Sequence, residues 1–155
     1  MKTLVAYYSR TGNTKLVAEK IADYLNAETC EVIDKKVRKG KLIFLTGGYA
    51  ALREKLTEID VIKTIDDYEL IIVGSPVWAG KMTPAIRTFL AKNDFSDKQL
   101  AFFVTMGGDK PGKALKNMKK AISPKIPVEE LGILNGLKNL EEIEKKIADW
   151  CKKIL

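Results

Sequence analysis

The sequence predicts an α/β protein, a three-layer sandwich in which a five-stranded parallel sheet carries helices on both faces. Short apolar runs typical of buried strands alternate along the chain with segments of helical periodicity. Such alternation produces a parallel sheet with right-handed crossovers, covered on both sides. The chain has 155 residues, 46% of them hydrophobic, which is enough for one domain with a substantial core. We therefore expect residues 1–155 to form a single domain.

The predicted strands are short apolar runs bounded by turn residues. Continuous runs of this kind are typical of strands that are buried on both faces. The third is the most apolar and ends at Gly74, and the fourth ends just before Gly107 and Gly108. In order, the five predicted strands cover residues 2–8, 31–33, 70–73, 100–105 and 126–134.

Four helices are predicted from spacing and from their start signals. Residues 13–26 carry Val17, Ile21 and Leu25 on one face. Thr83 followed by Pro84 is typical of a helix N-terminus, and that helix continues to residue 92. Pro111 opens the next helix, whose inward residues are Leu115, Met118 and Ile122. The last helix, 139–154, has one apolar stripe of Leu140, Ile143, Ile147, Trp150 and Ile154.

A further helix is predicted over residues 41–58. Its apolar residues recur at spacings of three and four: Leu42, Leu45, Tyr49, Leu52 and Leu56. Gly47 and Gly48 cost this helix about 2 kcal/mol relative to two alanines, so we expect a break or kink there.

Composition excludes several classes of function. The chain has no histidine, which excludes the usual hydrolytic triads and histidine-ligated metals, and we expect no metal and no catalytic side chain. Cys30 and Cys151 match no metal or redox spacing and are expected to be structural thiols of a cytoplasmic protein. No run has the length of a membrane span and no signal peptide is expected, so we predict no membrane association.

Charge is the other global feature. The net charge is +7, but the basic residues are scattered and carry no interleaved aromatic residues. We therefore expect no nucleic-acid binding.

The loop after the first strand has the chemistry of a phosphate site. It runs directly into a helix, so that free backbone amides, hydroxyl groups and a turn glycine are close together. The simpler alternative is a helix cap with spare hydroxyls. The loop consists of Ser9, Arg10, Thr11, Gly12, Asn13 and Thr14.

The loops after the third and fourth strands suit a flat ligand. In the first of them Trp78 follows a buried strand, and exposing its ring is costly unless a ligand or partner covers it. The alternative is a ring folded back onto the core. In the other, two glycines let backbone amides approach a planar polar ligand, although a plain turn would also use them. The candidate residues are Pro76, Val77, Trp78, Ala79, Gly80, Thr105, Met106, Gly107, Gly108 and Asp109.

Taken together, these loops resemble those of the flavodoxin family, in its short-chain form. The signature runs Ser9-x-Thr11-Gly12-Asn13-Thr14, then Gly74-Ser75-Pro76-Val77-Trp78-Ala79-Gly80, and the likeness spans nearly the whole chain. It implies a sheet of order 2-1-3-4-5 with flavin mononucleotide (FMN) at the switch point. It also implies that residues 9–14 hold the phosphate, that Trp78 stacks on the isoalloxazine, and that amides around Gly80 and 105–108 contact the polar edge of the ring.

Two features depart from that family. Residues 105–113 contain no aromatic residue, where many members place a tyrosine against the outer flavin face. The typical member is also acidic around its site, whereas these loops carry five basic residues against Asp109, a local sum of +4. The basic residues are Arg10, Lys15, Lys81, Lys110 and Lys113.

The resemblance implies an electron carrier that passes electrons between redox proteins. The basic loops favour a partner with an acidic docking face, and we expect a monomer or weak homodimer. Two alternatives stay open. One is an FMN-dependent NAD(P)H:quinone-type reductase, for which little chain is left to build a substrate pocket. The other is a binding module that uses its basic surface without a flavin.

Overall fold

The computed structural model describes residues 1–36, 43–108, 111–122, 125, 127, 129–134 and 139–155. A parallel sheet lies at its centre, with helices on both faces. In chain order the elements are β1 (Thr3–Tyr7), α1 (Asn13–Leu25), β2 (Glu28–Glu31), β3 (Ile33–Asp34), α2 (Ile43–Leu52), β4 (Ile59–Asp60), β5 (Leu70–Pro76), α3 (Pro84–Lys92), β6 (Gln99–Met106), α4 (Gly112–Ala121), β7 (Glu129–Leu134) and α5 (Leu140–Ile154).

The sheet has five parallel strands in the order β2-β1-β5-β6-β7, which confirms the expected order 2-1-3-4-5. Two details differ from the sequence prediction. The second strand begins earlier, at Glu28, and the chain then forms an antiparallel pair of β3 with β4 that the sequence did not predict. The last strand begins at Glu129, whereas residues 126 and 128 of the predicted strand lie outside the described residues.

The central strands are buried on both faces, as their continuous apolar runs predict. All five residues of β1 are buried. Alternate residues belong to two cores: Leu4 and Ala6 face the cluster that includes α3 and α4, whereas Val5 and Tyr7 face the one that includes α1 and α5. Burial raises the pKa of Tyr7 to about 12, with the charge of Glu31 adding to the effect. The protein is therefore built as three layers, with a separate core on each side of the sheet.

Side chains cap the first turns of two helices, and the cap of α3 is the one that the sequence predicts. Thr83 precedes α3, and its Oγ1 accepts a hydrogen bond from the Ile86 amide at 3.5 Å. Asn139 plays the same part at the start of α5, where its Oδ1 accepts from the Glu142 amide at 3.3 Å. Among the described residues, no helix is both long enough and apolar enough to cross a membrane.

The helix predicted over 41–58 is shorter than expected, and the predicted break is wrong. α2 runs without interruption through Gly47 and Gly48 and ends at Leu52, while residues 41–42 lie outside the described residues. The physical reason is tertiary packing: a Cβ on Gly47 would lie 2.9 Å from Cζ3 of Trp78, so the bare helix surface is what admits the indole ring. This contact offsets the low helix propensity of glycine.

The apolar periodicity of this segment does not mark a buried face. From residue 45 onwards, where burial is described, the large residues of the segment are exposed, whereas Gly47, Ala50 and Ala51 are buried. The exposed residues are Leu45, Tyr49, Leu52 and, beyond the end of the helix, Leu56.

Candidate functional site

Three loops meet at the carboxyl edge of the sheet. β5 lies between β1 and β6, with Tyr7 aligned with Gly74 and Pro76 aligned with Thr105. Because all three strands are parallel, the residues that follow them emerge at the same edge. The three loops that the sequence singles out are therefore neighbours in space.

The first loop leaves the amino end of α1 open. Gly12 adopts a left-handed conformation with φ of 95°, and its amide donates to Ser9 Oγ at 3.1 Å. α1 then begins at Asn13, and no side chain of the described residues caps it. The amides of the first turn have no acceptor within the helix, and they point towards the loop. Such an end attracts an anion.

Thr14 has a different environment from the rest of this loop. It is buried, and its Oγ1 lies 2.8 Å from Oγ1 of Thr105, which is also buried. This hydrogen bond joins the first loop to the third. Only one of the two hydroxyls donates in it, so the other O–H can still donate to a third group. Thr11, by contrast, is exposed.

The second loop closes as a tight turn from Trp78 to Lys81. The Trp78 amide donates to the Lys81 carbonyl at 2.9 Å, and the Lys81 amide donates to the Trp78 carbonyl at 3.0 Å. The two central residues, Ala79 and Gly80, both have positive φ, of 50° and 75°. A left-handed alanine costs about 1–2 kcal/mol, so Ala79 stores strain in this loop.

Trp78 lies between the first loop and α2. Its ring meets that of Tyr8 edge to face, with centroids 5.6 Å apart and planes at 89°, and its six-membered ring lies against Gly47. The residue is partly exposed and belongs to neither core cluster. The ring is thus supported by neighbours and still accessible at the edge of the sheet.

The third loop combines buried and open positions. Thr105 and Met106 are buried, and the Thr105 carbonyl accepts from the Val77 amide at 2.9 Å, which ties the third loop to the second. Gly107 and Gly108 are exposed, with open space around the position of a Cβ. Asp109, a predicted site residue, and Lys110 lie outside the described residues.

Two residues that hold the loops of this site in place were not predicted from the sequence. Tyr8 directly precedes the predicted phosphate loop, and its aromatic ring was the available signal. Glu54 had no local signal: its Oε1 accepts hydrogen bonds from Lys81 Nζ at 2.7 Å and from Asn117 Nδ2 at 3.0 Å. The hydrogen bond from Lys81 is the main reason why the pKa of Glu54 lies below its usual value. Glu54 therefore links Lys81 of the second loop to Asn117 of α4.

The predicted basic character of these loops is partly compensated. Lys81 pairs with Glu54, and the side chains of Arg10, Lys15 and Lys113 are exposed. Within the described residues, no group of three or more cysteine, aspartate or glutamate side chains is arranged to hold a metal ion.

Comparisons with known proteins agree with this architecture. The sequence model of the flavodoxin family matches residues 50–154, a range that includes the second and third loops. The fold is similar to that of a flavoprotein from Lactobacillus acidophilus NCFM solved in complex with FMN, with a TM-score of 0.77 and 24% identity over 96% of this chain and 97% of that one. It is also similar to oxidised Flavodoxin 2 from Bacillus cereus, with a TM-score of 0.66 and 19% identity over 99% and 97% of the two chains.

One curated relative is an enzyme. An NAD(P)H dehydrogenase (quinone) from Archaeoglobus fulgidus is 32% identical over 94 residues, which is 57% of this chain and 49% of that protein. The matched region therefore spans about half the length of that relative.

Proposed function

Because the chain belongs to the flavodoxin family, we propose that it is an electron carrier that moves electrons between redox proteins rather than transforming a substrate of its own. Its cofactor is FMN. When bound, FMN supplies one- and two-electron chemistry through its isoalloxazine ring. The observation that carries the proposal is the meeting of the three loops at the carboxyl edge of the sheet, beside the open amino end of α1.

The first loop fits the phosphate group. The uncapped first turn of α1 offers backbone amides, and the hydroxyls of Ser9 and Thr11 are partly or fully accessible. Arg10 adds a positive charge, although a dianion can be held largely by such neutral donors. Thr14 acts from beneath, by holding the loop to Thr105 through its buried hydrogen bond. We assign residues 9–14 to the phosphate.

The second and third loops fit a flat ring with a polar edge. Trp78 offers an aromatic surface held in place by Tyr8 and Gly47. The open backbone at Gly107 and Gly108 lets amides approach a ligand closely, as does the turn at Gly80. These residues bind and orient the ring and shield one side of it from water. The assignment of Pro76, Val77, Ala79, Met106 and Asp109 remains part of the same proposal.

The charge of the protein supports the choice of partner. The net charge is +7, and Arg10, Lys15 and Lys113 are exposed on the loops around the site. We propose a redox partner with an acidic docking face, whose association slows as ionic strength rises. The proposal also takes the protein to be a single cytoplasmic domain, monomeric or weakly dimeric. The buried, unpaired Cys30 and Cys151 are consistent with a reducing compartment.

The second candidate is an FMN-dependent NAD(P)H:quinone reductase. The partial match to an NAD(P)H dehydrogenase (quinone) favours it. The carrier is preferred because the flavodoxin family model matches residues 50–154, whereas the match to the dehydrogenase covers 57% of this chain and 49% of that relative. Oxidation of NADH and NADPH by the FMN-loaded protein, with and without a quinone, separates the two. We expect negligible turnover in every arm, and brisk quinone-dependent turnover would make the reductase the better assignment.

Flavin binding is tested by titrating the apoprotein with FMN and with riboflavin. FMN should bind at least about tenfold more tightly, because hydrogen bonds to a charged phosphate contribute about 1.5–3 kcal/mol each. Equal affinities would remove the phosphate assignment from residues 9–14.

The position of Trp78 is tested by fluorescence in a Trp150→Phe background, where Trp78 is the one remaining tryptophan of two. The substitution leaves no acceptor of the described residues unpaired, because none accepts a hydrogen bond from Trp150 Nε1, and thermal unfolding checks that this buried position tolerates it. FMN loading should strongly quench the remaining emission. Unchanged emission would place the flavin ring away from Trp78.

A further inference from the structure

A groove lies between the Trp78–Lys81 turn and α4. It has a volume of about 340 Å³, within the range of small-molecule sites. It shares Ala79 and Gly80 with the second loop and is otherwise separate from the residues assigned to FMN. The other lining residues are Leu52, Lys81, Lys113, Lys116, Asn117 and Lys120.

Three lysines form a row along one side of this groove. Lys113, Lys116 and Lys120 are three and four residues apart on α4, so they lie on the same face of the helix. All three are exposed, and no carboxylate of the described residues forms an ion pair with any of them. The row extends over about 10 Å along the helix axis, longer than a single anionic group needs.

The floor of the groove is held by a fixed polar network. Asn117 Oδ1 accepts a hydrogen bond from Nη2 of Arg87 at 2.7 Å, and Asn117 Nδ2 donates to Glu54 Oε1 at 3.0 Å. Glu54 also pairs with Lys81. The Glu54 carboxylate is thus already engaged by neighbouring donors, and no carboxylate of the described part of the chain lines the groove itself. The unpaired lysines therefore leave the lining strongly positive.

We propose that this groove binds a small molecule carrying a diphosphate, such as a nucleoside diphosphate or the corresponding half of a dinucleotide. The lysine row matches an extended anion with more than one phosphate, and Leu52 and Ala79 provide an apolar side for a base or sugar. A concave site of this volume suits a small molecule better than a protein surface, which buries a larger and flatter area. The inference concerns residues outside the phosphate loop and does not depend on whether the protein carries electrons or reduces a substrate.

The test uses FMN-saturated protein, so that the phosphate loop is already filled. Isothermal titration at low ionic strength compares ADP with adenosine, and flavin absorbance confirms that FMN stays bound. We expect measurable ADP binding, at least tenfold weaker adenosine binding, and loss of ADP affinity in added salt. The double variant Lys116→Glu/Lys120→Glu should lower ADP affinity at least tenfold.

The matched control is Lys145→Glu/Lys153→Glu, which makes the same change of charge on α5, on the other face of the sheet. It should keep ADP affinity within about twofold, and circular dichroism should confirm that both variants fold. Equal losses in the two double variants, or equal binding of ADP and adenosine, would overturn the proposal. So would binding of a polyglutamate peptide by the same lysines without ADP binding, since that result would assign the groove to an acidic protein. FMN affinity is measured on the same samples, which keeps a failure of the flavin assignment distinguishable.

Discussion

At the level of single residues, the two threonines of the proposed phosphate loop have distinct environments. Thr11 is exposed on the loop, whereas Thr14 is buried and bonded to Thr105 across 91 residues of sequence. The proposed phosphate contact of Thr11 and the hydrogen bond by which Thr14 joins two loops should therefore affect different measurements. Residue type alone does not distinguish them.

We expect Thr11→Ala to weaken FMN binding about tenfold with little change in stability, because it removes a donor to a charged group. Thr14→Ala should instead lower the free energy of unfolding by about 1–3 kcal/mol, because it leaves the buried Thr105 hydroxyl without its partner. FMN titration and thermal unfolding measure the two effects. Thr64→Ala, in an exposed position, is the control. Parent-like FMN affinity in Thr11→Ala would show that this hydroxyl does not contact the cofactor.

The two adjacent glycines of α2 form a matched pair. A Cβ on Gly47 would lie 2.9 Å from the Trp78 ring, whereas a Cβ on Gly48 would meet nothing within 4 Å. We expect Gly47→Ala to displace Trp78, weaken FMN binding and shift tryptophan emission. Gly48→Ala should stabilise the protein by up to about 1 kcal/mol through helix propensity. A lower melting temperature in Gly47→Ala and a higher one in Gly48→Ala would support this packing. Equal changes in the two variants would contradict it.

Among elements, α2 is unusual because its large apolar residues Leu45, Tyr49 and Leu52 face solvent. Its residues Gly47, Ala50 and Ala51 are buried, and Gly47 allows the helix to approach Trp78 closely. α5 shows the ordinary arrangement: Ile147, Trp150 and Ile154 of its predicted stripe are buried. The same periodicity of three and four therefore marks a buried face in α5 and an exposed one in α2.

Because these residues of α2 are exposed, replacing them should have little effect on the free energy of unfolding. Leu45→Gln and Tyr49→Gln should each change the free energy of unfolding by no more than about 0.5 kcal/mol, as is usual for surface positions. Ile86→Ala, at a fully buried position of α3, should cost about 2–5 kcal/mol. Urea unfolding measures all three. A loss above about 2 kcal/mol in Leu45→Gln would mean that this stripe is buried after all.

At the scale of the whole molecule, ionisable groups set a simple pH dependence. The chain has no histidine, so no side chain with an ordinary pKa between 5 and 8 changes its charge on folding. The pKa values of Glu28 and Glu54 are lowered, first by hydrogen bonds from Lys63 and Lys81, and that of Asp94 by the Ser96 amide. A carboxylate whose pKa is lowered by folding stabilises the folded state at pH values above its ordinary pKa. This stabilisation is lost as the pH falls and the carboxylate is protonated.

We therefore expect a flat melting temperature from about pH 5.5 to 8 and a fall below the ordinary glutamate pKa of 4.5. Glu54→Gln should slightly lower the melting temperature between pH 5.5 and 8. It should also reduce the fall in melting temperature at acidic pH, because it removes one of the carboxylates that cause this fall. The effect is small because Glu54 is 40% exposed. Glu58→Gln, a substitution at an exposed position, serves as the comparison. A stability maximum within pH 5.5–8 would contradict this account.

Global charge also affects the cofactor. Lys113 lies beside the second loop, where its Cδ is 3.8 Å from the position of a Cβ on Gly80. Reduction adds negative charge to FMN, so a nearby cation raises its midpoint potential. Lys113→Glu should lower that potential by about 20 mV, the two-electron equivalent of about 1 kcal/mol after screening. Lys153→Glu, on the opposite side of the sheet, should leave it unchanged. Equal shifts would mean that net charge, rather than position, sets the potential.

The class of fold could be predicted from apolar runs and helical periodicity, the strand order from the family resemblance, and the candidate loops from the residues that follow the strands. Those features depend on local signals: apolar runs, capping residues, and glycines and hydroxyls after strands. The exposure of the large residues Leu45, Tyr49 and Leu52 of α2, the hydrogen bond between Thr14 and Thr105, and the pairing of Glu54 with Lys81 could not be predicted from the sequence. These depend on contacts between residues far apart in the chain. Periodicity describes how one helix distributes its side chains, whereas burial depends on the neighbour it meets.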